Sequence, residues 1–308
     1  VHVCMRVCVH VRVCVCVRVR VNVPVRVFAA AIQDDAVAEA AARRFDGILR
    51  GNRGGLGDIE HALLSKGGSG DALDHRPLAI TGVEMRVLDC VLDLRLRHAL
   101  FGDGRRGVSA WQHAFQAYRS CDGVLAAFDA VFGSGKECHF VMCDMTKFFD
   151  SIRYDVVDAI FTEMGVPEVV AQHMLSAWRD ADCTLRTAYG PTAPFRRKMG
   201  LPQGAPASVT VALLVVNTLV AALEQTPMRE GCGFGPPGRR VSVLAMADDV
   251  TLVARSAEGA SRLLRVAADW ADATGCRFNE TKTQYMWRAS RRAVGGRAAA
   301  VAAPPTVL

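Results

Sequence analysis

A mixed α+β fold is the expectation for this chain, and three observations carry it. The apolar strand CHFVMC, residues 138–143, runs straight into an acid. The stretch VLAMADDVTLVA, residues 243–254, has the pattern of a buried hairpin interrupted by two aspartates. Segments of helical spacing lie around them. The order is therefore helix, strand, helix, buried helix, hairpin, helix, strand, and not the regular alternation of a doubly wound sheet.

The 308 residues, 51% hydrophobic and 22% charged, suffice for one large domain or two modest ones. Residues 1–27 place valine at every odd position except Met5. Taken as protein, this is one long strand with an apolar face. Taken as coding sequence, it is what an imperfect GT repeat yields in one frame, and segment 1–28 is given no functional part. It holds Arg6, Arg12, Arg18, Arg20 and Arg26 and no acid, so of the formal charge of +6 only about +1 belongs to the rest of the chain. Overall charge thus selects no partner, and any basic groove must come from local placement.

Residues 29–50 read as a helix with Asp34 and Asp35 near its start and Arg43 and Arg44 near its end, followed by a glycine-rich loop over 51–75. A second helix is expected over 81–101. GDGRRG, 102–107, matches a dinucleotide-loop pattern but follows a helix, and FGSGKE, 132–137, lacks the first glycine and the hydroxyl of a P-loop. Neither is read as a nucleotide loop. Helices are expected over 120–132 and over 151–165, the latter stopped by Gly165 and Pro167. The run 207–223 is at the short end for a membrane span and carries Thr210, Asn217 and Thr218, so it reads as a buried helix with no membrane partner. PPGRR, 236–240, is a turn, 258–275 an amphipathic helix with a glycine stop, and the tail 289–308 is expected to be disordered. No secretory or other targeting signal shows. The eleven cysteines form no Cys-x-x-Cys pair, which argues against a zinc site or a disulfide framework; those from Cys90 on read as buried free thiols of a reducing compartment.

Three stretches carry chemistry. In FVMCDMTKFFDSI, 140–152, Asp144 stands at a strand-to-helix junction, while Asp150 reads as an acid of the following helix start. In RRKMGLPQGAPASVTVALL, 196–214, Gly200, Pro202, Gly204 and Pro206 define a loop, and Ser208 opens the buried helix. Two glycines allow backbone to approach a ligand closely; a plain connector is the competing reading. Arg196, Arg197 and Lys198 before it are either a solvated cluster or a phosphate contact. In the hairpin, a turn at Asp248-Asp249 offers no glycine or asparagine for positive φ, and two adjacent carboxylates repel. A divalent cation would neutralise them. With Asp144 they supply hard oxygen ligands enough for two magnesium ions.

Taken in order, these blocks resemble the palm of reverse transcriptases of the non-LTR retrotransposon and group II intron type. DMTKFFD resembles the first carboxylate motif of that family, GLPQGAPAS its template and nucleotide loop, ADD its catalytic hairpin, and GCRFNETKTQYM, 275–286, the following motif with Gly275, Asn279 and Lys282. Upstream, 75–96 resembles the fingers motif that opens with Arg-Pro, and 112–128 the next. Similarity spans 75–288, and the combination is specific where each motif alone is not. It implies a right-hand polymerase with fingers over 75–137, a palm over 138–288 built as an antiparallel sheet packed on helices, and a thumb that is missing or truncated. The implied activity is RNA-directed DNA synthesis: dNTPs are added to a primer 3′-OH on an RNA template with two Mg²⁺, for which Mn²⁺ can substitute.

Residue by residue, the resemblance implies that Asp144 and Asp248 bind both metals, that Asp249 supports them, and that the Met145 carbonyl is a further ligand. It makes Phe149 the aromatic that excludes a 2′-OH. It sets Gln203, with Gly204 beside it, against the incoming nucleotide, Arg76 and Arg119 on triphosphate or template, and Lys282 as proton donor to pyrophosphate. An RNA-dependent RNA polymerase would carry Asp in place of Phe149 and lack the LPQG loop. Two departures stand out. Ala247 precedes the aspartate pair, which this subgroup permits, and Gln116 occupies a position where a basic residue is frequent. With no thumb, endonuclease or RNase H legible before Leu308, the chain reads as fingers and palm of a longer polyprotein. The alternative is an inactive relic that at most binds nucleic acid.

Overall fold

A computed structural model of the chain describes residues 2–7, 15–20, 35–49, 58–65, 75–101, 107–226, 231–235 and 240–290. The start of the first expected helix at 29–34, the glycine-rich stretches 51–57 and 66–74, GDGRR at 102–106, the turn at 236–239 and the tail from 291 lie outside these residues. In chain order the elements are β1 (His2–Val7), β2 (Val15–Arg20), α1 (Asp35–Leu49), β3 (Ile59–Ser65), β4 (His75–Ile80), α2 (Val83–Phe101), α3 (Cys121–Gly133) and β5 (Cys138–Cys143). They continue with α4 (Phe148–Ser151), α5 (Tyr154–Glu163), α6 (Glu168–Arg179), β6 (Cys183–Thr187), β7 (Gly190–Pro191), α7 (Pro206–Gln225), β8 (Val243–Met246), β9 (Asp249–Ala254), α8 (Ala257–Thr274) and β10 (Gln284–Arg288). The mixed α+β expectation holds.

The chain forms two units, neither of them continuous in sequence. One comprises Val1–Leu96, Phe161–Lys198 and Pro202–Ser208; the other comprises Arg97–Ile160, Met199–Leu201 and Val209–Leu308.

In the first unit the valine-alternating segment gives two antiparallel strands, β1 on β2, and not one long strand. A second sheet has the order β4-β3-β6-β7, with β3 antiparallel to β4 and parallel to β6. β3 lies inside the stretch expected to be a glycine-rich loop. β6, β7 and α6 also had no counterpart in the sequence reading. One face of this sheet buries Ile59, His61 and Ala79. The buried His61 imidazole accepts from Arg197 at Nε2 and donates from Nδ1 to the Thr184 carbonyl at 3.2 Å. Burial, then the Arg197 charge, holds its pKa below the usual histidine value, which keeps the ring neutral. Arg196 pairs with Asp182 at 3.2 Å. Two of the three cations before the loop are therefore committed within the protein.

The second unit is built on the antiparallel sheet β10-β5-β9-β8. β5 and β9 are buried almost throughout, which is why they read as apolar runs and not as alternations. Phe140 packs on Phe128 of α3 with ring centroids 4.4 Å apart, in a cluster with Val131, Leu244 and Val253. α8 buries Leu263, Leu264 and Ala267. Its ends are those its sequence signals: the Ser256 side chain accepts from the Gly259 amide, and Gly275 closes it at φ 77°. The helix expected over 151–165 is α5, which starts at Tyr154; the short α4 precedes it, set off by Ile152 in extended backbone at φ −64°, ψ 122°. The seven cysteines from Cys90 on are free; Cys138, Cys143, Cys183, Cys232 and Cys276 are buried, Cys90 is half-buried and Cys121 is exposed.

α7 has a mean hydropathy of 2.0, and 67% of its most apolar window is buried, the pattern of a core helix. Its N-terminus is held by Asp89 of α2, whose carboxylate accepts from the Ala207 amide at 3.0 Å. Asp89 is 4% exposed, and burial pushes its pKa up to about 6 against the opposing pull of that hydrogen bond. Between the unfolded value near 4 and this raised value the native state keeps a proton that the unfolded chain has lost, so native stability falls as pH rises through the window. Urea unfolding between pH 4 and pH 6.5 should show a decline of about 2–3 kcal/mol assignable to this group, and Asp89→Asn should remove it. An unchanged pH slope in that variant would assign the effect elsewhere.

Candidate functional site

The register of the second unit's sheet lines up the acids. Cys143 pairs with Val250 and Gln284 with Met142. Extending the first register by one step sets Asp144 opposite Asp249, and extending the second by two sets it opposite Lys282. The Lys282 ammonium lies 3.5 Å from Asp144 Oδ2. Asp249 has its pKa raised by burial first, then by the charges of Asp248 and Asp144. The three carboxylates thus share one end of the sheet and feel one another. Among the described residues, no three His, Cys, Asp or Glu side chains stand close enough to hold one metal ion as they are.

The chain leaves β5 along a bridge to the segment before β10. Met145 pairs with Phe278, through bonds from the Thr146 amide to the Arg277 carbonyl and from the Asn279 amide to the Asp144 carbonyl, both 2.8 Å. The Met145 carbonyl takes no part in that pairing. Phe149 is half-buried, edge-on to Phe148 at 6.0 Å, and its carbonyl accepts from the Leu201 amide at 2.8 Å.

The hairpin turn sits one residue earlier than the sequence suggests. Met246 pairs with Asp249, so the two turn residues are Ala247 and Asp248, and Asp249 opens β9. The positive φ that the sequence seemed unable to supply is taken by Ala247, at 57°. Glycine is the residue usually found there, in a two-residue turn with positive φ at its first position. Gln112 brackets Ala247: its Oε1 accepts from the Ala247 amide at 3.2 Å and its Nε2 donates to the Ala247 carbonyl at 3.4 Å. The sequence reading gave Gln112 no role, since a lone glutamine in an irregular stretch has no periodicity to betray it.

The glycine loop serves its own chain. In the second unit Gly200 (φ 92°) lies against the Asp150 backbone, where a Cβ would come within 2.9 Å of the Asp150 carbonyl oxygen. Its amide donates to the Ile152 carbonyl at 2.8 Å, and its carbonyl accepts from the Tyr154 hydroxyl at 3.0 Å. In the first unit the Gln203 carbonyl accepts from the Ala79 amide of β4 at 2.7 Å, and a Cβ on Gly204 (φ 108°) would meet Leu78 at 2.9 Å. The close approach of the added Cβ at both glycines is to protein. Arg76, on β4, is exposed, as is Gly204, and Gln203 is half-buried. Arg119, in the second unit, donates to the Ala110 carbonyl. Asp144, Met145, Phe149, Asp248, Asp249, Lys282 and Arg119 are thus in one unit, and Arg76, Gln203 and Gly204 in the other.

Solved telomerases share this fold. A telomerase from Candida tropicalis, solved with a TWJ fragment of telomeric RNA, superposes with a TM-score of 0.52 over 82% of this chain and 45% of its own, at 11% identity. A Candida albicans telomerase with the same kind of RNA fragment gives 0.53 over 80% and 45%, at 13% identity. The family model described as reverse transcriptase (RNA-dependent DNA polymerase) matches residues 65–297, and the chain belongs to that family. Within it the chain is of the non-LTR type. It is 24% identical over 213 residues to the retrovirus-related Pol polyprotein from the type-2 retrotransposable element R2DM of Drosophila melanogaster, covering 68% of this chain and 19% of that protein. It is 22% identical over 225 residues to the transposon TX1 149 kDa protein of Xenopus laevis, covering 70% and 16%. The chain therefore spans under a fifth of either relative's length.

The geometry at Gly200 makes a direct expectation. Gly200→Ala should cost on the order of 2 kcal/mol or more, since positive φ and a backbone clash add. Gly47→Ala, in the last turn of α1 with nothing within 4 Å of the added Cβ, should gain up to about 1 kcal/mol. Urea unfolding of both variants reads this, and equal effects would contradict it.

Proposed function

We propose that this reverse transcriptase domain is the catalytic core of an RNA-directed DNA polymerase, with the second unit's sheet as palm and the β3–β4 region as part of the fingers. The observation that carries the reading is the row across one sheet end, Lys282–Asp144–Asp249, with Asp248 in the adjoining turn. The reaction is attack of a primer 3′-OH on the α-phosphate of a dNTP: a bond forms between O3′ and that phosphorus, the bond to the β-phosphate oxygen breaks, and pyrophosphate leaves with the electrons.

The donor set is carboxylates and a backbone carbonyl, hard oxygens of the kind Mg²⁺ and Mn²⁺ take. Asp144, Asp248, Asp249 and the Met145 carbonyl would hold two such ions. Bound there, they would ease deprotonation of the 3′-OH and stabilise the charge on departing pyrophosphate. The protein's own part is to hold the carboxylates on strand ends whose register burial fixes. Phe149, its backbone pinned by Leu201, places an aromatic ring where a ribose 2′-OH would clash. Lys282, on the Asp144 carboxylate, offers an ammonium that can give a proton to pyrophosphate. Gln203, with Gly204 beside it, is the proposed contact for the incoming nucleotide. The guanidinium of Arg76 meets triphosphate or template, and Arg119 lends charge to the template path. An RNA template, a primer and dNTPs are the partners this implies. One relative is named for a retrotransposable element and the other for a transposon, and the solved telomerases carry telomeric RNA, which supports a nucleic-acid template for this chain as well.

Primer extension on an RNA template with Mg²⁺ or Mn²⁺ tests the reading. The full chain should extend the primer, and Asp248→Asn should lose at least about a thousandfold in rate with an unchanged circular dichroism spectrum. Normal extension by that variant would remove Asp248 from the site. A relic that only binds nucleic acid would show template binding and no extension in either protein.

The gate has its own test. Phe149→Val should raise ribonucleotide incorporation by roughly tenfold or more relative to dNTPs, a gap of about 1.4 kcal/mol or larger between the two substrates. A ratio equal to that of the unsubstituted chain would leave Phe149 a core aromatic.

A further inference from the structure

The catalytic reading needs Asp248 and Asp249 aimed by a turn whose first residue, Ala247, sits in a backbone region that favours glycine. Something must hold it there. The side chain of Gln112 is fully buried, 0% exposed. Its amide group has one acceptor and one donor end, and the turn uses both. The Ala247 amide can meet only an oxygen and its carbonyl only an N–H, so the orientation of the Gln112 amide follows from the two bonds, 3.2 and 3.4 Å. The same oxygen also accepts from the Ala114 amide at 3.0 Å.

The segment that carries Gln112 is itself fastened to β8. Gln112 forms a parallel bridge with Ala245, through bonds from the Ala245 amide to the Trp111 carbonyl at 2.9 Å and from the His113 amide to the Ala245 carbonyl at 2.8 Å. The Gln112 amide donates to the Ser109 carbonyl at 3.3 Å, and the Asn217 side chain accepts from the Ser109 amide at 2.8 Å. The clamp therefore has a rigid base: strand pairing holds the backbone two residues before the turn, and the side chain reaches forward to grip the turn itself. A buried glutamine that satisfied only itself would not need to span the two peptide groups that flank one strained residue.

We infer that Gln112 is a positioning residue for the aspartate turn: it holds Ala247 in its left-handed conformation and thereby sets where the Asp248 and Asp249 carboxylates point. The inference rests on the polymerase reading for its consequence in catalysis, and on the structure alone for the hold on the turn.

The test separates the two. In the full chain, hydrogen exchange should show the Ala247 amide protected by its bond to Gln112. Gln112→Met keeps the volume of the side chain and removes both polar ends. It should raise exchange at that amide by about tenfold or more, as expected for the loss of its acceptor, with exchange in the centres of β5 and β9 unchanged. Ala247→Gly added to Gln112→Met should restore primer extension to within about threefold of the unsubstituted chain, because glycine adopts the turn without a clamp. Gln112→Met alone should lower the rate of extension about tenfold with little change in the dNTP concentration at half-maximal rate. A general core defect would instead raise exchange throughout the sheet, and glycine at 247 would not rescue it. Unchanged exchange at Ala247 in Gln112→Met overturns the inference, as does a rate loss that Ala247→Gly leaves untouched. If no protein extends a primer, the polymerase reading falls and with it the catalytic consequence, while the exchange comparison still decides whether Gln112 holds the turn.

Discussion

Everything in the second unit is arranged around an electrostatic cost. Asp144 and Asp249 stand across from each other at the end of β5 and β9, with Asp248 one residue away in the turn. Like charges directly opposite on neighbouring strands destabilise a sheet, and the pKa of Asp249, raised by burial first, is raised further by the charges of Asp248 and Asp144. Two features offset that cost. The turn that leads into β10 brings Lys282 beside Asp144, and the sheet interior is so thoroughly apolar that the strand ends cannot drift apart. A row of acids kept together by the packing behind them is a site for cations. That function follows from the same arrangement that makes the site unfavourable on its own.

The glycine loop shows a similar economy. Its glycines suggest a ligand pressed against bare backbone, yet each is needed for contact with the protein. Gly200 lets the loop lie on the Asp150 backbone, behind Phe149. Gly204 lets it lie on β4, next to Leu78 and Ala79. The loop thus supports the elements that carry Phe149 in one unit and Arg76 in the other. A carboxylate buried in α2 then takes the first amide of the long helix that follows, and this determines how the loop ends.

Much of this was legible in the sequence, and what was not has physical causes. β5 was readable to the residue, because a strand buried on both faces is a continuous apolar run with an abrupt polar end. α8 was readable because Ser256 and Gly275 mark its ends. The three aspartates were legible as a group since nothing local neutralised them. β3 and β6 were not: IEHALLS and CTLRT are short, and β6 joins a strand more than a hundred residues earlier in parallel, a pairing no local pattern encodes. α6 was overlooked between two stronger signals. The hairpin turn was misplaced by one residue because the reading sought a residue suited to positive φ among the aspartates, while the structure imposes that conformation on alanine.

The reason for that imposition is a matter of magnitudes. Shifting a strand register by one residue turns every side chain to the opposite face. In β9, buried on both faces, such a slip would set Thr251 where Val250 or Leu252 packs and carry Val253 to the opposite face, disturbing three residues each at most 1% exposed; core side chains forced into the wrong place cost about 1–3 kcal/mol each. An alanine forced into the left-handed region costs about 1–2 kcal/mol. The register therefore wins by a wide margin, and with Met246 and Asp249 paired, Ala247 and Asp248 are simply the two residues left to make the turn. The strain is a consequence of the sheet, and the buried glutamine beside it reduces that strain without altering its cause. This accounts for the location of the second and third acids: Asp248 projects from a turn whose shape is fixed by packing, and Asp249 begins a strand that cannot slide.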